Sequence, residues 1–242
     1  MSLEWVIETH KEVQSTQDLV KQAAYDYQPE GLVIHALSQL DGRGRHGRTW
    51  VSVEGNLFLS VLLRPACRAS VIGQLSLIIG LCLVEAIEQH SNDNLNNRLI
   101  LKWPNDLLLD NQKCAGILLE SELSANGDVE WLVLGVGLNV ISAPDDLGIA
   151  LDGVLNQGVG IDDVRDSFLK YLAQSYQNWL LSGFETYRRA WLSQSYKVGH
   201  PVHVKVGERL EKGAFHDIDM NGHLRIMDNG QIKMITAGEV YF

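Results

Sequence analysis

Residues 42–48 read Gly-Arg-Gly-Arg-His-Gly-Arg, three guanidinium groups and an imidazole interleaved with three glycines. Arginine forks grip carboxylates and phosphates through paired N–H donors, and glycine lets a backbone close over a ligand. The chemistry this segment suits is capture of a phosphate-bearing anion beneath a loop. A solvated basic turn is the plain alternative, which the interleaved glycines weaken. The segment also contains Gly-x-Gly-x-x-Gly. A dinucleotide fingerprint, however, opens a helix at its last glycine and meets an acidic residue about 20 positions on. Here Thr49-Trp50-Val51-Ser52-Val53 leads into a strand, and the downstream positions hold Cys67 and Arg68, so that reading is set aside.

A second cluster, Lys102-Trp103-Pro104-Asn105-Asp106, ends a strand with a cation, an aromatic, a rigid kink and two polar side chains. Lys113-Cys114-Ala115-Gly116 starts the next strand after a tight turn, so a hairpin brings Lys102 and Lys113 towards one site. Taken singly, these are ordinary packing, turn and solvated residues. Cys114 has no histidine placed to activate it and reads as strand packing rather than a nucleophile. The eight histidines show no paired ligand spacing, so no resident metal site is expected.

Periodicity and turn chemistry indicate the elements that must position these residues. Ser15-Thr16-Gln17-Asp18 reads as a capping box opening a helix, with Leu19, Val20, Ala23 and Ala24 at helical spacing and Pro29 and Gly31 ending it. Short strands are expected at 32–37 and 56–63, on either side of the arginine loop. Apolar positions from 71 to 87 recur at helical spacing and predict a core-facing helix over 71–89. Strands at 98–103, 107–109, 115–119 and 131–140, with Asp110-Asn111-Gln112 as a turn, predict a mixed, largely antiparallel sheet. The segment 144–163 reads as loops, followed by helices at 164–181 and 185–193. Beyond 196 come four short β-like pieces, near Val202, Ala214, Leu224 and Ile232. Gly207, Asn221-Gly222 and Asn229-Gly230 separate them, as in a small barrel. The expected organisation is an α+β domain over residues 1–195 and an all-β domain over 196–242.

The 242 residues carry a formal charge of −10, the wrong sign for gripping nucleic-acid phosphates over a broad face, so no DNA partner is expected. Three cysteines without a C-x-x-C pair argue against a disulfide framework or a structural zinc and fit a reducing compartment. The N-terminus lacks a basic stretch followed by an apolar core, and no run is read as long enough to cross a bilayer. A cytoplasmic location away from membranes is the default.

Taken together, Ser15-Thr16-Gln17, Gln39, the 42–48 loop with Trp50, Lys102 to Asp106, Lys113 to Gly116, and Gly135-Val136-Gly137-Leu138-Asn139 resemble the catalytic domain of biotin–protein ligases. Order and spacing match over residues 10–140, and the stretch ending Gly238-Glu239-Val240 is similar to the family's small SH3-like β-barrel. The resemblance implies an α+β, class II aminoacyl-tRNA-synthetase-like catalytic domain followed by that barrel. It implies two steps: biotin and ATP, with Mg2+, give biotinyl-AMP and pyrophosphate, then a lysine of a biotin carboxyl carrier protein takes the biotinyl group and AMP leaves. A homodimer joined through the edge of the central sheet is also implied. With 14 residues before Ser15, the helix-turn-helix domain of the repressing members is not expected.

By the same resemblance, Arg43, Arg45 and Lys113 are the catalytic cations. A carboxylate approaching a phosphate meets roughly 4 kcal/mol of repulsion per unit charge pair at about 4 Å and an effective dielectric of 20, which such cations offset. Biotin falls to Ser15, Thr16, Gln17, Gln39, Gly42, Arg43, Gly44, Arg45 and Lys113, where hydroxyl and amide groups match the donors and acceptors of its ureido ring. ATP and the adenylate fall to Arg45, Arg48, Trp50, Lys102, Asn105, Asp106 and Asn139. Several alternatives stay open. Ser15 is an N-cap, a ligand contact or both; Trp50 stacks on the adenylate or packs in the core; Asp106 positions magnesium or the incoming lysine; Asn139 is a contact or a turn residue. Gln17 stands where asparagine is usual, and Asp41 and His46 reduce the loop's positive charge. Lipoate ligation and a binding module without transfer are the competing readings. The hydroxyl and amide groups at 15, 16 and 39 favour biotin, and Lys113 together with the loop favours an enzyme.

Overall fold

The computed structural model describes residues 3–92, 95, 97–144 and 148–241. The first half runs β1 (Val6–Val13), α1 (Thr16–Tyr25), β2 (Leu32–Gln39), β3 (Leu57–Leu63), α2 (Ile72–Gln89), β4 (Leu99–Lys102) and β5 (Asp106–Leu109). Then follow β6 (Gln112–Leu123), β7 (Val129–Leu138), α3 (Ile161–Ser182) and α4 (Glu185–Ser193). A second set of strands closes the chain: β8 (Pro201–Val206), β9 (Arg209–Ile218), β10 (Leu224–Asp228), β11 (Gln231–Ile235) and β12 (Glu239–Tyr241).

The first seven strands form one sheet in the order β1-β2-β3-β7-β6-β5-β4. Only β1 and β2 pair in parallel, so the sheet is mixed and largely antiparallel, as expected. Strand β3 is buried at every position because both faces are covered. Its Leu57, Leu59, Val61 and Leu63 join the main core under α2 and α3, while Leu62 points to the other face, where Val20 and Ala24 of α1 pack with Ile34, Trp131 and Val133.

Four expectations need correction. Strand β1 was not foreseen: its VIETHKEV is mostly exposed and lacks a buried alternation, and it is held by pairing with β2 from Val6↔Leu32 to Val13↔Gln39. The region after residue 196 has five strands rather than four, in one antiparallel sheet of order β11-β10-β9-β8-β12. Helix α3 starts at Ile161, inside the segment read as loop, while 145–147 of that segment lie outside the described residues. Finally, Ala69–Gln89 is long and apolar enough to cross a membrane by length and composition, with a mean hydropathy of 2.0. Its Leu75, Ile78, Ile79, Leu83 and Ile87 are nevertheless buried in the core, the position of a central helix.

Two sets of contacts bear on the site. The second sheet is fastened to the first part of the chain. Trp103 donates its indole N–H to the Gly222 carbonyl at 2.9 Å, and Arg188 donates to the Ile218 carbonyl at 2.6 Å and to the Asp217 carboxylate at 2.9 Å. At the end of β7, buried Asn56 accepts backbone N–H groups of Val140 (2.8 Å), Ile141 (3.0 Å) and Ser142 (3.3 Å) and donates to the Ser142 carbonyl (2.8 Å). Asn56→Ala removes these four hydrogen bonds, of which the one to Val140 is buried, and is expected to cost about 2–3 kcal/mol in denaturant unfolding. A loss below about 1 kcal/mol would show that water replaces the amide without penalty.

Candidate active site

Helix α1 opens at Ser15, but the capping box does not form. Ser15 makes no side-chain cap bond, and Asp18 instead pairs with Arg43 at 2.8 Å. The Ser15 hydroxyl is 1% exposed and has no partner among the described residues. Beside it, Thr16 donates its backbone N–H to Gln39 Oε1 at 2.9 Å, and its hydroxyl lies 3.1 Å from the same oxygen and 2.9 Å from Ser60 Oγ. Ser60 donates to Gln17 Oε1 at 3.0 Å, and Gln17 Nε2 donates to the Val133 carbonyl at 3.3 Å. Gly135 lies opposite Ser60 across the β3–β7 ladder, and a Cβ there would stand 2.5 Å from Gln17 Oε1, so only glycine leaves room for the amide.

The loop between β2 and β3 closes as a small hairpin. Gly44 donates to the Arg48 carbonyl at 2.7 Å and Trp50 to the Gly42 carbonyl at 2.7 Å, while His46 and Gly47 turn the chain at φ 57° and 72°. Arg45 is aimed inward: its guanidinium donates to Asn105 Oδ1 at 3.0 Å and reaches the Gly238 carbonyl at 3.5 Å. Burial pulls the Arg45 guanidinium below its ordinary value; the Asp106 carboxylate opposes that fall and the charge of Arg48 adds to it. Arginine starts high enough to stay charged. Arg48 forms an ion pair with Glu239 of β12, and His46 Nε2 is 3.8 Å from the same carboxylate. The loop is therefore tied to β12 by Arg48 and to the residue before it by Arg45.

Across the cavity, the β4–β5 hairpin and the start of β6 bring two lysines to one carboxylate, as the spacing suggested. Lys113 Nζ is 2.6 Å and Lys102 Nζ 3.4 Å from Asp106. Lys113 Nζ also lies 5.4 Å from the centre of the Trp50 ring, within cation–π range. Trp50 is sandwiched over two glycines: a Cβ at Gly137 would stand 2.4 Å from its ring and one at Gly116 would stand 2.8 Å away. Asn139 is buried, its Oδ1 without a partner among the described residues and its Nδ2 donating to the Ile149 carbonyl at 3.3 Å. Cys114 is fully buried, its thiol pushed up to about 12 by desolvation, and donates to the Leu107 carbonyl at 3.4 Å. That excludes a thiolate nucleophile at neutral pH.

These groups line one cavity of about 290 Å³, near the lower end of small-molecule sites. Ser15, Thr16, Gln17, Gln39, Arg43, Gly44, Arg45, Arg48, Trp50, Lys102, Asn105, Asp106, Lys113 and Asn139 all contribute to its wall. Gly42 does not join them; it lines the hollow behind the loop. The same lining holds buried hydroxyls and amides together with lysine and arginine, and Val51 and Leu118 are among its apolar residues. Such a lining suits a ligand that carries both a compact polar group and an anionic group. Ser60 was overlooked in the sequence, although a serine inside the apolar run NLFLSVLL was a readable signal. Glu239, Val240 and Tyr241 also line the cavity, and nothing in their sequence announces that contact across the fold.

A family model described as the biotin/lipoate A/B protein ligase family matches residues 10–139. The chain is 36% identical over 217 residues to the biotin–[acetyl-CoA-carboxylase] ligase of Paracoccus denitrificans, covering 86% of this chain and 89% of that one. It is 29% identical to the bifunctional ligase/repressor of Bacillus subtilis, covering 96% of this chain and 72% of that one. Among solved structures, the biotin protein ligase from Aquifex aeolicus in complex with biotin and ATP superposes with a TM-score of 0.81 at 28% identity, covering 97% of each chain.

Proposed function

The chain belongs to the biotin/lipoate A/B protein ligase family, and on that premise we propose that it activates biotin with ATP and passes the biotinyl group to a lysine of a biotin carboxyl carrier domain. The first step joins the biotin carboxylate to the α-phosphate and expels pyrophosphate. In the second, the lysine amine attacks the acyl carbon and AMP leaves. The observation that carries this reading is that one cavity is lined both by the Ser15 hydroxyl, without a partner among the described residues, and by Arg45 and Lys113.

Biotin's ureido head occupies the pocket formed by Ser15, Thr16 and Gln39, with the backbone around Gln17 and Arg43. Lys113 and Arg45 face the carboxylate and the α-phosphate, where negative charge accumulates in the transition state. Trp50, Arg48, Lys102, Asn105 and Asn139 surround the nucleotide. Asp106 is already paired with two lysines, which supports a role in presenting them rather than in binding metal. Magnesium enters with the triphosphate, whose oxygens and water it prefers. Among the described residues, no group of three or more His, Cys, Asp or Glu side chains is placed to hold a metal. The proposal includes domains at 1–195 and 196–242, a homodimer and a cytoplasmic location, and the formal charge of −10 supports the lack of a DNA partner.

The direct test mixes the protein with ATP, biotin and a carrier domain and weighs the acceptor. One added biotinyl group on its lysine is the expected result; transfer of lipoate but not biotin would overturn the substrate. The nucleotide assignment has its own check. Gly137→Ala drives a methyl into the Trp50 ring and should raise KM for ATP by at least about tenfold, since small displacements of positioning groups are costly. An unchanged KM would remove Trp50 from the nucleotide site.

A further inference from the structure

We propose that Asp219, on the turn between β9 and β10, is a positioning residue for adenylate formation: it holds the Gly222 carbonyl against the indole of Trp103 and so sets where Lys102, Asn105 and Asp106 stand. This rests on the ligase reading above and concerns what keeps the nucleotide side of the site in place.

The turn is built around one carboxylate. Asp219 Oδ1 accepts the backbone N–H groups of Asn221 and His223, each at 2.8 Å, and Oδ2 lies 3.1 Å from His223 Nδ1. Gly222 donates its N–H to the Asp219 carbonyl at 3.1 Å and stands at φ 82°, where a Cβ would come within 3.1 Å of Leu77 Cδ1. With its backbone held in this way, the Gly222 carbonyl has a fixed direction, and it accepts the indole N–H of Trp103 at 2.9 Å. That bond is buried and Trp103 is 4% exposed, so the ring cannot slide away without stranding its one donor. Helix α2 holds both partners: Gln74 donates to the Met220 carbonyl at 2.8 Å, and Ser76 donates to the Pro104 carbonyl at 2.8 Å. Trp103, Pro104 and Asn105 are the whole link between β4 and β5. Within and beside that link, Asn105 receives Arg45 at 3.0 Å, and Asp106 pairs with Lys102 and Lys113. Residues 219–223 line no part of the cavity, whereas Trp103 does, and the indole bond joins the turn to its wall.

The test measures pyrophosphate release from biotin and ATP by the native protein, Trp103→Phe, Asp219→Ala and the double variant. Each single variant should lower kcat about tenfold, because small displacements of the groups around a reacting centre are costly. KM for biotin should stay within about twofold, since Ser15, Thr16 and Gln39 stand at the start of α1 and on β2, away from this joint. The double variant should be no slower than the slower single variant, because both substitutions cut the same connection. Losses that multiply to about 100-fold in the double variant overturn the proposal while the ligase reading stands, as does a native kcat in folded Asp219→Ala. A KM for biotin that rises as far as kcat falls also overturns it, for that is the mark of general loosening. If Asp219→Ala does not fold, Gly222→Ala replaces it, its methyl pressing on Leu77 and moving the same carbonyl. The split between kcat and KM is read in each variant alone. A native protein that releases no pyrophosphate from biotin and ATP overturns both readings.

Discussion

Replacing Lys113 by alanine should slow adenylate formation by about 10²–10³-fold, the usual consequence of removing one group that stabilises charge developing in a transition state. Lys113 is held ready by Asp106 at 2.6 Å and by the face of Trp50, with its ammonium centre 5.4 Å from the ring. An ammonium fixed before the reaction needs no reorganisation when the phosphoryl oxygens gain charge. The fall should appear in kcat for pyrophosphate release at saturating biotin and ATP. Lys113→Arg should restore only part of it, because a planar fork replaces a compact point charge. Pyrophosphate release at the native rate in Lys113→Ala would remove this residue from the chemistry.

Arg45→Gly acts on the other function of the site, the keeping of its intermediate. The Arg45 side chain is the crossbar of the loop, tied to Asn105 and to the Gly238 carbonyl. Loss of a charge-assisted hydrogen bond of about 1.5–3 kcal/mol should speed escape of the mixed anhydride roughly 10–100-fold. Escaped adenylate reacts with any accessible lysine, so a bystander protein added to the assay should become biotinylated in proportion to the leak. Bystander labelling no greater than with the native protein would mean that the loop is closed by other contacts, of which Arg48 with Glu239 is the first to examine.

Those residues were legible in the sequence because their chemistry is local. Interleaved glycines and arginines, or a lysine pair across a hairpin, name a kind of ligand before any contact is known. Helix α2 was equally legible, since its apolar repeat survives in any fold that buries one face. Strand β1 was not, because an edge strand with exposed side chains has no burial pattern to leave, and its place depends on pairing with a strand beyond α1. The capping box misled for a related reason. Ser15 does begin the helix, but its hydroxyl stays unpaired and Asp18 is taken by Arg43 of the loop, a partner no local rule names. Ser60 and Glu239 fall between these cases. One shows itself as a lone hydroxyl in an apolar run, whereas the other matters only because β12 folds back onto β8 and meets a loop far earlier in the chain.

That return of β12 has a consequence for when the protein becomes active during its own synthesis. Ribosomes release the chain from its N-terminus, and domains generally fold as they emerge. By the time residue 195 is made, the seven-stranded sheet has all its strands, but the wall supplied by Glu239, Val240 and Tyr241 does not yet exist. A growing chain folded to that point would hold the lysines and arginines of the site around an open bowl, in which an acyl phosphate would be exposed to water and to other amines. Completion of the last strand finishes the chamber, so the means of confining a reactive intermediate arrives after the charged groups that would make it.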